Sequence, residues 1–192
     1  MAECRALGGI RHRNLVKLVS VCDTVDFKGN DFKALVYEFK VNGSLDKWLH
    51  NNEEESGEDF KSLSIIQRLN IALDIAQGIE YLHFGSGSSI IHGDLKPSNI
   101  ILDHDMIACV GDFGLAKVVS NILPSSCESN TSSIGIKGTV GYIPPGKGAL
   151  KMEFIVRVLN IGVSCSKENP RDRMPINLVV NELAGILAQC MN

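Results

Sequence analysis

The stretch Ile90-Ile-His-Gly-Asp-Leu-Lys-Pro-Ser-Asn-Ile-Ile-Leu-Asp103 constrains the fold of this chain more than any other. An apolar pair, Ile90 and Ile91, leads into a polar loop that carries His92, Asp94, Lys96 and Asn99. A second apolar run, Ile100 to Leu102, reaches a turn at Asp103 to Asp105. Met106 to Val110 then leads to Gly111-Asp-Phe-Gly114. Short apolar runs that flank turn residues predict a small hairpin. Such a hairpin gathers a carboxylate, an ammonium, an amide and a second carboxylate. Asn99 and Asp112 offer hard oxygen atoms of the kind Mg²⁺ takes alongside phosphate oxygens. Lys96 adds a point charge for a phosphoryl group, and Asp94 can accept a proton from an incoming hydroxyl. These residue types in this order predict phosphoryl transfer.

His92-x-Asp94-x-Lys96-x-x-Asn99 followed by Asp112-Phe-Gly114 resembles the catalytic loop and metal-binding turn of protein kinases. A lone Asp-Phe-Gly would say little, because such tripeptides occur by chance in loops. Both motifs in order, with 13 positions from Asn99 to Asp112, are specific. Lys96 two residues after Asp94 resembles the serine/threonine-specific branch. The wider pattern resembles plant leucine-rich-repeat receptor-like kinases over nearly the whole chain. It runs through Ala2-Glu-Cys4, Arg11-His-Arg-Asn-Leu-Val-Lys17, Leu35-Val-Tyr-Glu-Phe39 and Asn42-Gly-Ser-Leu45.

The resemblance implies an α+β, two-lobe protein-kinase-like fold that is incomplete, with a small-lobe remnant and hinge over 1–40 and a large lobe over 41–192. It implies ATP and Mg²⁺ as cofactors. Asp94 would be the base or hydroxyl orienter, Lys96 the phosphate contact, and Asn99 and Asp112 the Mg²⁺ ligands. Tyr37 matches the residue at the back of the adenine pocket, Glu38 to Lys40 would offer backbone groups to the adenine edge, and Ile101 joins them in the cofactor site. Gly138-Thr-Val-Gly-Tyr-Ile-Pro-Pro145 resembles the substrate-docking segment, with Thr139 near Asp94 and Lys96. The partners implied are ATP and a protein substrate or partner kinase.

Length and charge fit this picture. With 192 residues, 44% of them hydrophobic, the chain can bury one substantial core. A net charge of −3 gives no electrostatic case for nucleic acid. Cys4, Cys22, Cys109, Cys127, Cys165 and Cys190 are scattered without a C-x-x-C pair, which predicts reduced thiols in a cytosolic setting. Met1 opens nothing like a signal peptide. No apolar run is expected to reach the ~20 residues that span a bilayer, so no membrane segment and a cytoplasmic location are predicted. The related family is anchored in the plasma membrane with a cytosolic kinase domain.

In chain order, Glu3 to Gly9 reads as a helix end, with Glu3 matching a helix glutamate whose lysine partner and glycine-rich phosphate loop are missing. Arg11, His12, Arg13 and Lys17 form a short basic patch read as a solvated loop. Leu15 to Val21 and Ala34 to Phe39 predict two strands joined by a polar loop, Asp23 to Asp31. Ser44 is a candidate N-cap for a short helix, Leu45 to His50. The acidic, polar stretch Asn51 to Asp59 reads as a loop or a partly disordered insertion. Ile65, Leu69, Ala72, Ile75 (or Ala76), Ile79 and Leu82 keep the spacing of one helical face. His83 falls at that helix's end, and His92 reads as structural. Leu115 to Lys137 fits a serine-rich activation loop. Gly141 to Gly148 has the spacing of a Walker loop, but Pro144 and Pro145 lack N–H donors and Gly148 lacks the hydroxyl, so that reading is rejected.

Two departures from the family matter. Gly93 stands where many kinases carry an arginine that reads a phosphate on the activation loop, which resembles the subgroup independent of that phosphate. After Pro145 the pattern breaks: Gly146 replaces a glutamate, and by Met152 the chain already resembles the penultimate helix, Glu153 to Cys165. A deletion near 146–151 follows, with the central helices of the large lobe lost. Asn169 to Pro175 and a terminal helix, Ile176 to Ala188, complete the similarity. Arg173 matches the arginine that normally pairs with the lost glutamate, so it should be unpaired or exposed. The resemblance therefore predicts a serine/threonine kinase by family with weak or absent activity. The alternatives are a non-catalytic, pseudokinase-like binding module and an incomplete gene product.

Overall fold

The computed structural model describes residues 10–50, 62–87, 89–119 and 152–191, the side chains of Met152 and Glu153 excepted. Glu3, the acidic stretch, most of the serine-rich loop, Thr139, the Walker-like segment and the 146–151 break lie outside the described residues.

The first strands among the described residues form an antiparallel hairpin, β1 (Leu18–Val25) and β2 (Asp31–Tyr37). The polar loop predicted over Asp23 to Asp31 is partly strand: Asp23 to Val25 belong to β1 and Asp31 opens β2. Asp26 closes a tighter turn by accepting from Lys28 N and Asn30 N, both at 2.8 Å, with Gly29 at φ 82°. Asp23 and Lys33 then face each other across the ribbon, 2.8 Å apart. Leu15 leaves the predicted strand and bridges in parallel to Val110.

A short helix, α1 (Leu45–Leu49), follows, although Ser44 makes no side-chain cap bond. The long helix α2 (Ile65–Glu80) begins at a capping box: Gln67 N donates to Ser64 Oγ, and Ser64 N donates to Gln67 Oε1. It ends in a π-helical turn, Tyr81–Gly85, which contains His83. Helix α2 lies between two cores. One gathers Leu15, Ile71, Ile79, Leu82, Ile90, Ile100, Leu102, Val110 and Phe113, and the other Leu69, Ala76, Ile161, Val179, Leu183 and Ile186. That position explains why the single apolar face read from sequence omitted Ile71, which is buried, and included Ile65, which is 37% exposed.

Three-residue strands organise the centre. β3 (Ser89–Ile91) pairs antiparallel with β6 (Lys117–Val119), and β4 (Ile100–Leu102) with β5 (Ala108–Val110). The β4–β5 hairpin agrees with the sequence reading. The β6 strand at the start of the expected activation loop does not, because a three-residue pairing carries no local signal. The hairpin is widened on both sides. Leu102 N donates to Gly43 O and Asn42 N to Leu102 O. On the other edge Val110 N donates to Asn14 O and Val16 N to Val110 O.

Helices α3 (Met152–Cys165) and α4 (Ile176–Met191) close the described structure, the latter three residues longer than expected. By length and composition alone, Pro170–Met191 is a 22-residue stretch apolar enough to cross a membrane. This amends the expectation that no run approaches that length. In the fold, α4 buries Val179, Leu183 and Ile186 in the second core. Cys22, Cys109, Cys165 and Cys190 are free thiols.

Candidate functional site

The polar loop between β3 and β4 is ordered by its own side chains. Asp94 Oδ2 accepts from Lys96 Nζ at 2.6 Å and from Asn99 Nδ2 at 3.1 Å, and the same amide nitrogen donates to the Asp94 carbonyl at 2.9 Å. These bonds fix the amide with its nitrogen towards Asp94 and leave Oδ1 as an acceptor. The Lys96 ammonium holds the Asp94 carboxyl below the usual carboxylate range; Asp94 in turn raises Lys96, with Asp112 adding to the rise. Asp94 is therefore a carboxylate at neutral pH, an acceptor only. The pair is well solvated, so it orients groups more than it stabilises the fold.

A buried imidazole ties this loop to the turn after β5. His92 Nδ1 accepts from Asp94 N at 3.2 Å, so Nε2 carries the proton and donates to Gly111 O at 2.9 Å. The ring lies 5.1 Å from that of Phe113, centroid to centroid, and both residues are buried. A second tie runs from Gly111 N to Asn99 O at 2.8 Å. The next residue, Asp112, sits at φ 58°, a left-handed conformation that is strained for a side-chain-bearing residue. Asp tolerates it better than most, and the buried Phe113 beside it anchors the turn.

A cleft of about 560 Å³ opens beside this turn, lined by Val16, Tyr37, Glu38, Phe39, Lys40, Gly43, Ile101, Gly111 and Asp112. It brings together Tyr37, Glu38, Lys40, Ile101 and Asp112, the five residues assigned to cofactor binding from sequence. Glu38 N is already used, donating to Lys17 O at 3.0 Å. The Glu38 carbonyl and the Lys40 N–H carry no partner among the described residues and remain for a ligand's edge. Asp94, Lys96 and Asn99 cluster on the neighbouring loop. No group of three or more His, Cys, Asp or Glu side chains suited to a metal occurs among the described residues. The Asp112 carboxylate and the Asn99 amide oxygen are hard donors of the sort Mg²⁺ takes when phosphates complete its shell.

Sequence reasoning missed Asn14 and Asp74, both buried polar residues. Asn14 Nδ2 donates to Ala108 O at 3.1 Å, and Asp74 Oδ2 accepts from Ala108 N at 3.1 Å. The available signal for Asp74 was a carboxylate set among the apolar positions of α2. Arg173, expected to be unpaired or exposed, is half-buried and has no carboxylate partner among the described residues; it donates to the carbonyls of Lys167 and Glu168.

Comparison with known proteins meets the same residues. The family model for protein tyrosine and serine/threonine kinases matches residues 1–137. A receptor-like protein kinase of Arabidopsis thaliana is 53% identical over 149 residues, 77% of this chain and 14% of that protein. The Arabidopsis thaliana LRR receptor-like serine/threonine-protein kinase EFR is 38% identical over 242 residues, 97% of this chain and 24% of that protein. The receptor kinase-like protein Xa21 of Oryza sativa subsp. japonica is 46% identical over 147 residues, 77% of this chain and 14% of that protein. The chain thus spans a quarter or less of the length of these relatives. With the loop, the turn and the cleft lying inside the matched residues, the chain belongs to the protein tyrosine and serine/threonine kinase family, alongside the plant LRR receptor-like kinases.

Proposed function

We propose that the cleft binds ATP with Mg²⁺ and that the loop transfers the γ-phosphoryl group to serine or threonine hydroxyls, weakly in this 192-residue chain. The observation that carries the reading is the joining of a cleft, where the Glu38 carbonyl and the Lys40 N–H have no partner among the described residues, to the Asp112 carboxylate and the Asp94–Lys96–Asn99 cluster. The Glu38 and Lys40 backbone would take the adenine edge, with Tyr37 and Ile101 against the ring. Asn99 Oδ1 and Asp112 would hold Mg²⁺, which supplies charge neutralisation at the phosphate oxygens when bound. Lys96 would contact the transferred group, and Asp94, kept ionised, would orient the attacking hydroxyl and take up its proton. Thr139 would belong to the substrate-docking segment.

Weak transfer follows from a second part of the proposal: a segment of the large lobe is missing between Pro145 and Met152. Three observations support it. Arg173 lacks a carboxylate partner among the described residues. Helix α3 leaves Val156, Leu159 and Val163 between 46% and 65% exposed. The alignment with EFR covers 242 positions against 97% of 192 residues, about 186, so about 56 positions of that relative face no residue here. A loosely held loop costs rate steeply, about 10²-fold for a displacement near 1 Å. Thermal shift of the purified chain with ATP, with and without Mg²⁺, tests the reading. A Mg²⁺-dependent rise that Asp112→Asn abolishes is the expected result; a chain indifferent to nucleotide refutes it.

A further inference from the structure

The metal-ligand turn is gripped from behind by residues outside the motifs. Both backbone groups of Ala108 are taken by side chains: its N–H donates to Asp74 Oδ2 at 3.1 Å, and its carbonyl accepts from Asn14 Nδ2 at 3.1 Å. Asp74 comes from the middle of α2, 34 residues from Ala108 in sequence, and is only 7% exposed. Its other oxygen, Oδ1, accepts from Arg13 Nη2 at 3.2 Å. Arg13 keeps its guanidinium solvated at 65% exposure, while the Asp74 side chain is 10% exposed. A carboxylate buried to that degree is costly without a cation and without bonds to both oxygens, and here it has both. The grip then passes along β5: Asn14 O accepts from Val110 N, Val110 O accepts from Val16 N, and Asn99 O accepts from Gly111 N. The next residue is Asp112 in its left-handed conformation. Strained backbone of this kind persists only where its surroundings over-determine it.

We propose that Asp74 is a positioning residue for Asp112: paired with Arg13, it fixes the register of β5 against α2 and so aims the metal-binding carboxylate. The role rests on the reading of Asp112 as a Mg²⁺ ligand. Asp74 touches neither nucleotide nor metal; it acts through Ala108. Partners outside the first ligand shell commonly set metal affinity within a factor of ten to a hundred.

The test uses the whole chain with MgCl₂ and ATP as probes. Asp74→Ala should raise the half-saturating Mg²⁺ concentration roughly tenfold while Mg²⁺-free ATP binding moves by less than about twofold. Asp74→Asn keeps an acceptor for Ala108 N–H and should recover most of that loss. Arg13→Gln leaves the Ala108 bond in place and should give a smaller shift of the same sign, and it carries the test should Asp74→Ala fail to fold. Amide exchange supplies a readout that needs no ligand: Val110 and Gly111 should exchange faster in Asp74→Ala and Arg13→Gln, relative to amides of α2. Equal losses of Mg²⁺-dependent and Mg²⁺-free binding, or unchanged exchange at Val110 and Gly111, overturn the positioning role. A wild-type chain without Mg²⁺-dependent binding overturns the kinase reading instead, and the exchange comparison then decides the positioning role alone.

Discussion

Replacing His92 with alanine separates the two halves of the candidate site, and the cost can be worked from its contacts. The ring makes two hydrogen bonds, from Asp94 N to Nδ1 and from Nε2 to Gly111 O, and packs against Phe113. Each bond contributes about 1 kcal/mol net, and the ring contact about 1 kcal/mol more. The loss is then about 3 kcal/mol, since Gly111 is buried and its carbonyl would be left without a donor. For a chain of this length, each kcal/mol lowers Tm by about 2–4 °C, so a fall of about 6–12 °C is expected. Urea unfolding measures the free-energy difference directly, and an unchanged m-value shows that the loss is one of stability. His92→Phe retains a ring beside Phe113 and lacks both bonds, so it should recover about a third of the loss. A loss below about 1 kcal/mol for alanine, or wild-type stability for phenylalanine, would refute the reasoning, because the ring would then be acting by packing alone.

Three further outcomes follow from the same contacts. Gly78→Ala should destabilise by about 1–3 kcal/mol despite the better helix propensity of alanine, because its Cβ would meet Asn14 O at 2.8 Å; equal or higher stability in urea would contradict this. Ile186→Ala, at a side chain with no exposure in the second core, should cost about 2–5 kcal/mol by the same assay, and a negligible loss would mean that α4 is not docked as described. Burial holds His83 below the ordinary imidazole range, and burial followed by the Arg13 charge does the same for His12. As pH falls below about 6.5 the unfolded chain takes up protons that the folded chain resists, so stability is full above that value and declines beneath it. Thermal melts across that window should show a falling Tm, flattened by His83→Gln; a Tm that rises on acidification would reverse the sign.

The legible parts of the fold were those whose determinants are close in sequence. The β4–β5 hairpin could be read because Ile100–Leu102 and Ala108–Val110 flank a turn whose Asp103 caps it locally, accepting from Asp105 N and Ile107 N. Helix α2 could be read from its spacing and from Ser64 with Gln67. The pairing of Ile91 with Lys117 could not, since three residues on each side carry no periodicity and their register is set by the elements around them. Leu15 read as strand with its neighbours, but β1 begins only at Leu18, and Leu15 bridges to Val110 instead. The gathering of Tyr37, Glu38, Lys40, Ile101 and Asp112 on one cleft came from motif resemblance, since neither composition nor spacing places residues 37 and 112 together.

That division has a physical consequence for the site. Asp94, Lys96, Asn99, His92 and Gly111 are joined by bonds that span at most 19 residues, so the loop can form from local sequence. Asp112 is different. The strand that leads to it, β5, is held through Asn14, 94 residues from Ala108, and through Asp74, 34 residues away. Loop closure over such distances costs more entropy than closing the motif loop, and only the packed core repays it. The Asp94–Lys96–Asn99 cluster, proposed to meet a hydroxyl and a phosphoryl group, should therefore tolerate loosening of the core better than the carboxylate that would hold Mg²⁺. In this chain, where Val156, Leu159 and Val163 of α3 stay open to solvent, Asp112 is the part of the candidate site most exposed to that loosening. Mg²⁺ dependence is accordingly the property in which changes to the core should register first.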